Sequence, residues 1–315
     1  MYEPPLKLQT PDLERFYPNS LLETGWDILP FWVMRMAMIG VKLTGTMPFP
    51  EVYCHGLVRD KEGRKMSKSL GNVINPMDVI QSITLDELNA RLKEGNLDAK
   101  EVERATKDQR KTFPHGIPQC GTDALRFTLC NYTSGGRDAN LDVERVHGYR
   151  QWANKVREGA GTNLTTQLWN MTRFAMLTFD ASFTPNATAA RTGHESLAER
   201  WILDKLDRAV EAVNADLEAR SFKHATEVVH AFQLYELCDV YLEAMKPSAS
   251  ESAPAQARRS VQQTLYTCLD ATFRLLHPFM PFVTEELWQR LPRRPNDSTP
   301  SIMVAAYPTA VRRRC

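Results

Sequence analysis

From Arg145 onward the apolar residues of this chain recur at helical steps over long stretches, and that periodicity limits the folds open to it. Trp201, Leu203, Leu206, Val210, Val213 and Leu217 form one stripe. Val228, Phe232, Tyr235, Leu237, Val240 and Leu242 form a second; Val261, Leu265, Leu269, Phe273 and Leu276 form a third that stops at His277-Pro278. A stripe that wide on a charged helix has to be buried against another helix, so the pattern predicts an antiparallel bundle. The Met and aromatic residues on these stripes read as core.

The first eighty residues follow a different rhythm. Leu21-Leu22 leads through Glu23-Thr24-Gly25 into a turn at Trp26-Asp27, and Ile28, Trp32, Met36 and Ile39 predict a helix over Ile28 to Gly40 with Pro30 in its first turn. Val52 to Val58 reads as a short buried strand. Helix, strand and loop in that order fit the last part of a doubly wound α/β domain, whose ligand loops lie at the carboxyl ends of strands. Asn75-Pro76 signals a helix start. The charged stretch Leu85 to Lys111 predicts two surface helices around Gly95-Asn96, ended by Pro114 to Pro118. Thr122 or Asp123 is placed to cap the next helix.

Between these regions lies Gly63-Arg64-Lys65-Met66-Ser67-Lys68-Ser69, followed by Leu70-Gly71-Asn72. Two lysines three positions apart, hydroxyls beside them and glycines on either side suit a loop that holds a polyphosphate while charge moves onto it. It is not a Walker A loop, since G-x-x-x-x-G-K-[ST] is absent.

Composition narrows the rest. The chain has 315 residues and a net charge of +1, so no global field marks a nucleic-acid partner, and local clusters such as Arg290, Arg293-Arg294 and Arg312 to Arg314 read first as solvated surface. Six cysteines are scattered without a C-x-x-C pair, which favours packed thiols over a metal site. Ile28 to Val41 is interrupted by Arg35 and is too short to span a bilayer, and Met1-Tyr-Glu-Pro-Pro is neither a signal nor a basic transit peptide. The expectation is a cytoplasmic protein with no membrane partner.

The Lys65-Met66-Ser67-Lys68-Ser69 string resembles the second signature of class I aminoacyl-tRNA synthetases. Glu23 to Leu29, Phe31 to Val33, His55 to Asp60, Gly63 to Asn75, Gly116 to Phe127, Gly136 to Asp138, Tyr235 to Glu243 and His277 to Trp288 are similar, in order, to the valyl-tRNA synthetase family. The charged segment 83–113 and the stretch around Cys120 look most like its eukaryotic cytosolic members. The resemblance implies a mainly α chain with an α/β N-terminal part. Residues 1–82 would be the C-terminal part of a Rossmann-like catalytic domain, 83–145 a charged helical insertion with a stem-contact region, and 146–315 an antiparallel helical anticodon-binding bundle.

The same resemblance implies a valine–tRNA ligase: ATP activates valine to valyl-adenylate, and the valyl group passes to tRNA-Val. Lys65 and Lys68 would be the catalytic pair, with Mg²⁺ sharing the charge of the pyrophosphate. ATP would meet Lys65, Met66, Ser67, Lys68 and Ser69, together with backbone at His55, Gly56 and Val58. Valine would meet Ile28 and Trp32, with Asp27 shaping the site. No resident metal site is implied, and membership of a larger synthetase or elongation-factor complex is left open.

The chain also departs from the family pattern. None of its seven histidines has another three positions later, so the His-x-Gly-His signature is missing, as is an editing segment. The expectation is a piece of a longer enzyme, inactive alone, with residues 1–80 poorly stable by themselves; the alternative is a non-catalytic tRNA-binding or assembly module. Pro30 stands where a Phe is expected, and Val156 to Gln167 separates Asn154-Lys155 from Leu168-Trp169-Asn170, as a translated intron would.

Overall fold

The computed structural model describes residues 10–67, 69–94, 97–133, 136–153, 167–180 and 182–310, with the side chains of 152, 153 and 167 left aside. Lys68, Gly95-Asn96, Arg312 to Arg314 and all but the end of the 156–167 interruption therefore lie outside the described residues. The chain divides into two compact units. One is Met1–Met66 with Thr133–Leu141; the other is Ser67–Tyr132 with Asp142–Cys315. These units do not follow the 1–82, 83–145 and 146–315 segmentation expected from sequence.

In the first unit, β1 (Leu22–Gly25) pairs in parallel with β2 (Val52–His55), and β3 (Val58–Arg59) pairs in parallel with β4 (Ala139–Asn140). The expected buried strand over Val52 to Val58 is thus two short strands, broken at Gly56-Leu57, and β2 is only half-buried. With just two strands in each sheet there is little surface to bury it against.

The expected helix from Ile28 also needs correction. Trp26–Ile28 is a 3₁₀ turn, Leu29–Val33 is a π turn containing Pro30, and regular α-helix α1 runs only over Met34–Thr44, stopped by Gly45 at φ 74°. Proline cannot donate an N–H, so the widened turn begins where a regular helix would need one. The apolar residues here face outward: Trp26, Phe31 and Trp32 are 58%, 64% and 59% exposed.

The second unit is helical. Asn75 caps the short helix α2 (Pro76–Gln81) through the Met77 N–H. The charged stretch forms α3 (Leu85–Glu94) and α4 (Ala99–Thr112), as predicted. Next comes α5 (Thr122–Tyr132). The bundle follows in α6 (Val143–Ala153), α7 (Gln167–Thr178), α8 (Leu197–Glu218), α9 (Phe222–Ala231), α10 (Ala255–Leu276) and α11 (Pro281–Arg290). Ser196 and Glu199 form a reciprocal capping box at the start of α8. Phe127, Ile202, Leu237, Leu265, Leu269 and Phe273 are fully buried within one continuous core. Each such side chain contributes about 1.5–3 kcal/mol by leaving water.

Two local predictions fail for tertiary reasons. The stripe over Val228 to Leu242 is not one α-helix: Phe232–Tyr241 is a π-helix. Its wider turn buries Phe232, Leu237 and Tyr241, at steps of five and four, and leaves Tyr235 and Val240 exposed. Asp123, one of two residues expected as the cap of its own helix, reaches across to α11, where its carboxylate accepts the N–H groups of Phe282 (3.2 Å) and Val283 (2.7 Å). Burial pushes that carboxyl above its ordinary value, against the pull of those N–H groups.

Candidate functional site

The lysine string is entered through a tight turn. Asp60 is buried, donates its N–H to Arg64 O at 3.0 Å and accepts the Gly63 N–H on its own carbonyl at 2.9 Å. Its carboxylate takes the Arg64 N–H (2.7 Å) and Nε (2.8 Å). Gly63 closes the turn at φ 79°, where a side chain would be strained. Arg59 and Lys65 then face each other in an antiparallel bridge, which directs the chain into the lysine string.

Lys65 emerges with Nζ 3.2 Å from Asp27 Oδ2, and both side chains are largely exposed. Asp27 sits in the 3₁₀ turn after β1, so the strand end and the loop present opposite charges to one another. An exposed pair of this kind contributes only about 0.2–1 kcal/mol. Lys68 is outside the described residues. The adjoining segment is ordered by short-range bonds: Ser67 N–H to Asn72 Oδ1 at 2.9 Å, Leu70 N–H to Ser67 O at 3.1 Å, and the Ser67 and Ser69 hydroxyls 2.6 Å apart. Met66 and Ser67 are half-buried and Ser69 is exposed.

The residues expected beneath a nucleotide have protein partners of their own. His55 points Nε2 at Glu23 (3.0 Å) and Nδ1 at the Gly56 carbonyl (2.9 Å). A methyl on Gly56 would stand 1.9 Å from the Arg137 carbonyl oxygen, so close backbone approach alone requires glycine there. Val58 lies in β3 beside Ala139. Ile28 and Trp32, the expected valine contacts, are 43% and 59% exposed and belong to different turn types.

Sequence reasoning missed what ties this ground together. Asp138 accepts the Leu57 N–H at 2.8 Å and Arg59 Nε at 2.5 Å, and those bonds hold its carboxyl below the ordinary range. The Gly136-Arg137-Asp138 string was visible, but nothing in its spacing shows that it returns to β3 from eighty residues away. The arginines at the end of α11 and just after it are not simply solvated either. Arg290 stacks over Trp169 (4.9 Å), Arg293 over Trp288 (3.7 Å) and Arg294 over Tyr266 (4.8 Å). Among the described residues no three His, Cys, Asp or Glu side chains converge as a metal site, and no helix is long and apolar enough to cross a membrane.

Known proteins give this geometry its context. Residues 3–142 match the family described as tRNA synthetases class I (I, L, M and V), and residues 199–313 match the anticodon-binding domain of tRNA ligase. The chain thus carries a class I tRNA synthetase region followed by an anticodon-binding domain of tRNA ligase. Within that class it is similar to valine–tRNA ligases. It is 56% identical to the protein of Schizosaccharomyces pombe over 299 residues, covering 95% of this chain and 29% of that relative. It is 51% identical to the mitochondrial protein of Saccharomyces cerevisiae, covering 96% and 26%, and 54% identical to that of Homo sapiens, covering 95% and 23%. The chain therefore spans less than a third of the length of these relatives.

Solved structures agree at the level of fold. The LeuRS–tRNA–LeuAMS ternary complex of Agrobacterium radiobacter K84 superposes with a TM-score of 0.60 at 19% identity, over 93% of this chain and 29% of that one. The apo methionyl-tRNA synthetase of Mycobacterium tuberculosis gives 0.56 at 16% identity, over 96% and 49%.

Proposed function

We propose that this chain supplies the pyrophosphate-handling loop and the anticodon-binding bundle of a valine–tRNA ligase, acting on ATP, valine and tRNA-Val. The observation that carries it is the exposed Lys65 ammonium, delivered by the Asp60–Arg64 turn and paired with Asp27. In this reading valine's carboxylate attacks the α-phosphorus of ATP and pyrophosphate leaves. Lys65 exchanges Asp27 for the departing phosphates and Lys68 joins it, while the Ser67 and Ser69 hydroxyls offer donors. No covalent enzyme intermediate is needed, so positioning and electrostatics carry the step. Ile28 and Trp32 would contact the valine side chain, and backbone at His55, Gly56 and Val58 the adenosine. The described residues offer no carboxylate cluster fit for Mg²⁺. The ion would come as part of the nucleotide substrate, and no step is assigned to it. A cytoplasmic location is proposed, with the mitochondrial Saccharomyces cerevisiae relative, at 51% identity, marking the alternative.

Binding tests this directly. The chain is titrated with inorganic pyrophosphate and, separately, with a tRNA-Val transcript. Lys65→Ala is expected to weaken pyrophosphate binding about tenfold through loss of a charge-assisted contact, and to leave RNA binding unchanged. Binding of neither probe by the parent chain would refute the proposal.

A further inference from the structure

We propose that the charged hairpin formed by α3 and α4 is a brace for the second half of the lysine loop, with Leu92, Leu97 and Ala105 as positioning residues acting through Gly71; the catalytic part of this inference rests on the pyrophosphate reading above. The hairpin is polar outside, but its inner side carries Leu88, Leu92 and Ala105, all buried. What they meet includes the chain just after the lysine string. Gly71 adopts φ 63°, and a methyl group there would stand 3.0 Å from Ala105 Cβ, Leu92 Cδ2 and Leu97 Cδ1 alike. Only a glycine backbone lies that flat against apolar atoms on three sides.

The hairpin is itself anchored. Arg91 Nη1 donates to both oxygens of the buried Asp78 on α2, at 2.6 and 2.7 Å. Ile83 and Ile117 exchange backbone bonds (3.0 and 2.8 Å) across the hairpin's base. The effect reaches the string because Ser67 is joined to Asn72 by its N–H and to Leu70 by its carbonyl. Ser67–Asn72 is therefore a closed turn, and fixing Gly71 fixes Ser67. A loop that must present donors to developing charge works best when its supports are rigid beforehand.

The test uses the 315-residue chain, with Ala105→Leu to wedge the contact open and Leu97→Ala to thin it from outside either helix. Hydrogen exchange is read by mass spectrometry for the loop (64–74), the hairpin (85–94 and 99–112) and α10. Both variants are expected to raise loop exchange about tenfold while α10 stays protected, the signature of a local opening rather than global unfolding. Pyrophosphate affinity is expected to fall about threefold in both, as donors lose preorganisation. If Ala105→Leu unfolds the hairpin, Leu97→Ala alone decides. Unchanged loop exchange with a protected hairpin overturns the brace, whatever pyrophosphate does. Faster loop exchange with unaltered pyrophosphate affinity overturns the positioning role. A parent chain that binds no pyrophosphate, yet shows the coupled loop exchange, refutes the functional reading and upholds the mechanical brace.

Discussion

The two compact units use similar apolar side chains to opposite effect. In the first, Trp26, Phe31 and Trp32 follow a β-strand and stay more than half exposed; in the second, Phe127, Leu265 and Phe273 are sealed from water. Their hydrophobicity is comparable, so the difference lies in what is available to cover them. A helical stripe with long helices on several sides finds its partners, whereas two-stranded parallel sheets offer no continuous face. Stability should therefore be concentrated in the bundle.

The widest gap between the units is expected from paired truncations. Phe273→Ala should destabilise the bundle by about 3–5 kcal/mol, because a buried ring leaves a cavity, while Phe31→Ala should cost under about 0.5 kcal/mol. Urea unfolding followed by the far-UV signal checks both, and equal losses would end the contrast. A smaller effect is expected at Asp123. Asp123→Ala removes the acceptor for two N–H groups at the start of α11, and the loss should be about 1–2 kcal/mol. No measurable change there would mean that apolar packing alone holds α5 to α11.

The smallest effect is one of pH. Burial pushes the His230 imidazole below its ordinary value of 6.5, and His277 and His147 are lowered by the same cause. A base whose folded value is depressed contributes stability above its unfolded value and loses it as pH falls through the folded one. Bundle stability should accordingly decline as pH drops below about 6.5, and His230→Phe should flatten part of that slope. Melting curves at several pH values would show it, and a slope identical to the parent's would remove His230 as a contributor.

Much of the helical unit was legible because its signals are local. The helix start at Asn75 and the stripes of α8 and α10 follow from side-chain size and spacing. The π-helix at Phe232–Tyr241 was not, since its apolar residues read as an ordinary helical stripe, and only the surrounding core selects which of them turn inward. In the candidate site the Lys65 string and Asp27 were readable as residues but their pairing was not. It depends on how β1 and β2 lie in register, with Gly25 opposite His55. Asp138 was invisible as a structural tie because its partners, Leu57 and Arg59, are remote in sequence.

By itself, then, the amino-acid order determined most of the helices and the helix start at Asn75, and it marked the Lys65 string, because propensity, periodicity and charge act within a few residues. Tertiary structure alone decided that Asp123 caps a distant helix, that Lys65 faces Asp27 and that Gly71 lies flat on the hairpin. Those pairings depend on non-local packing, which decides which polar groups and bare backbone meet once the apolar stripes are buried.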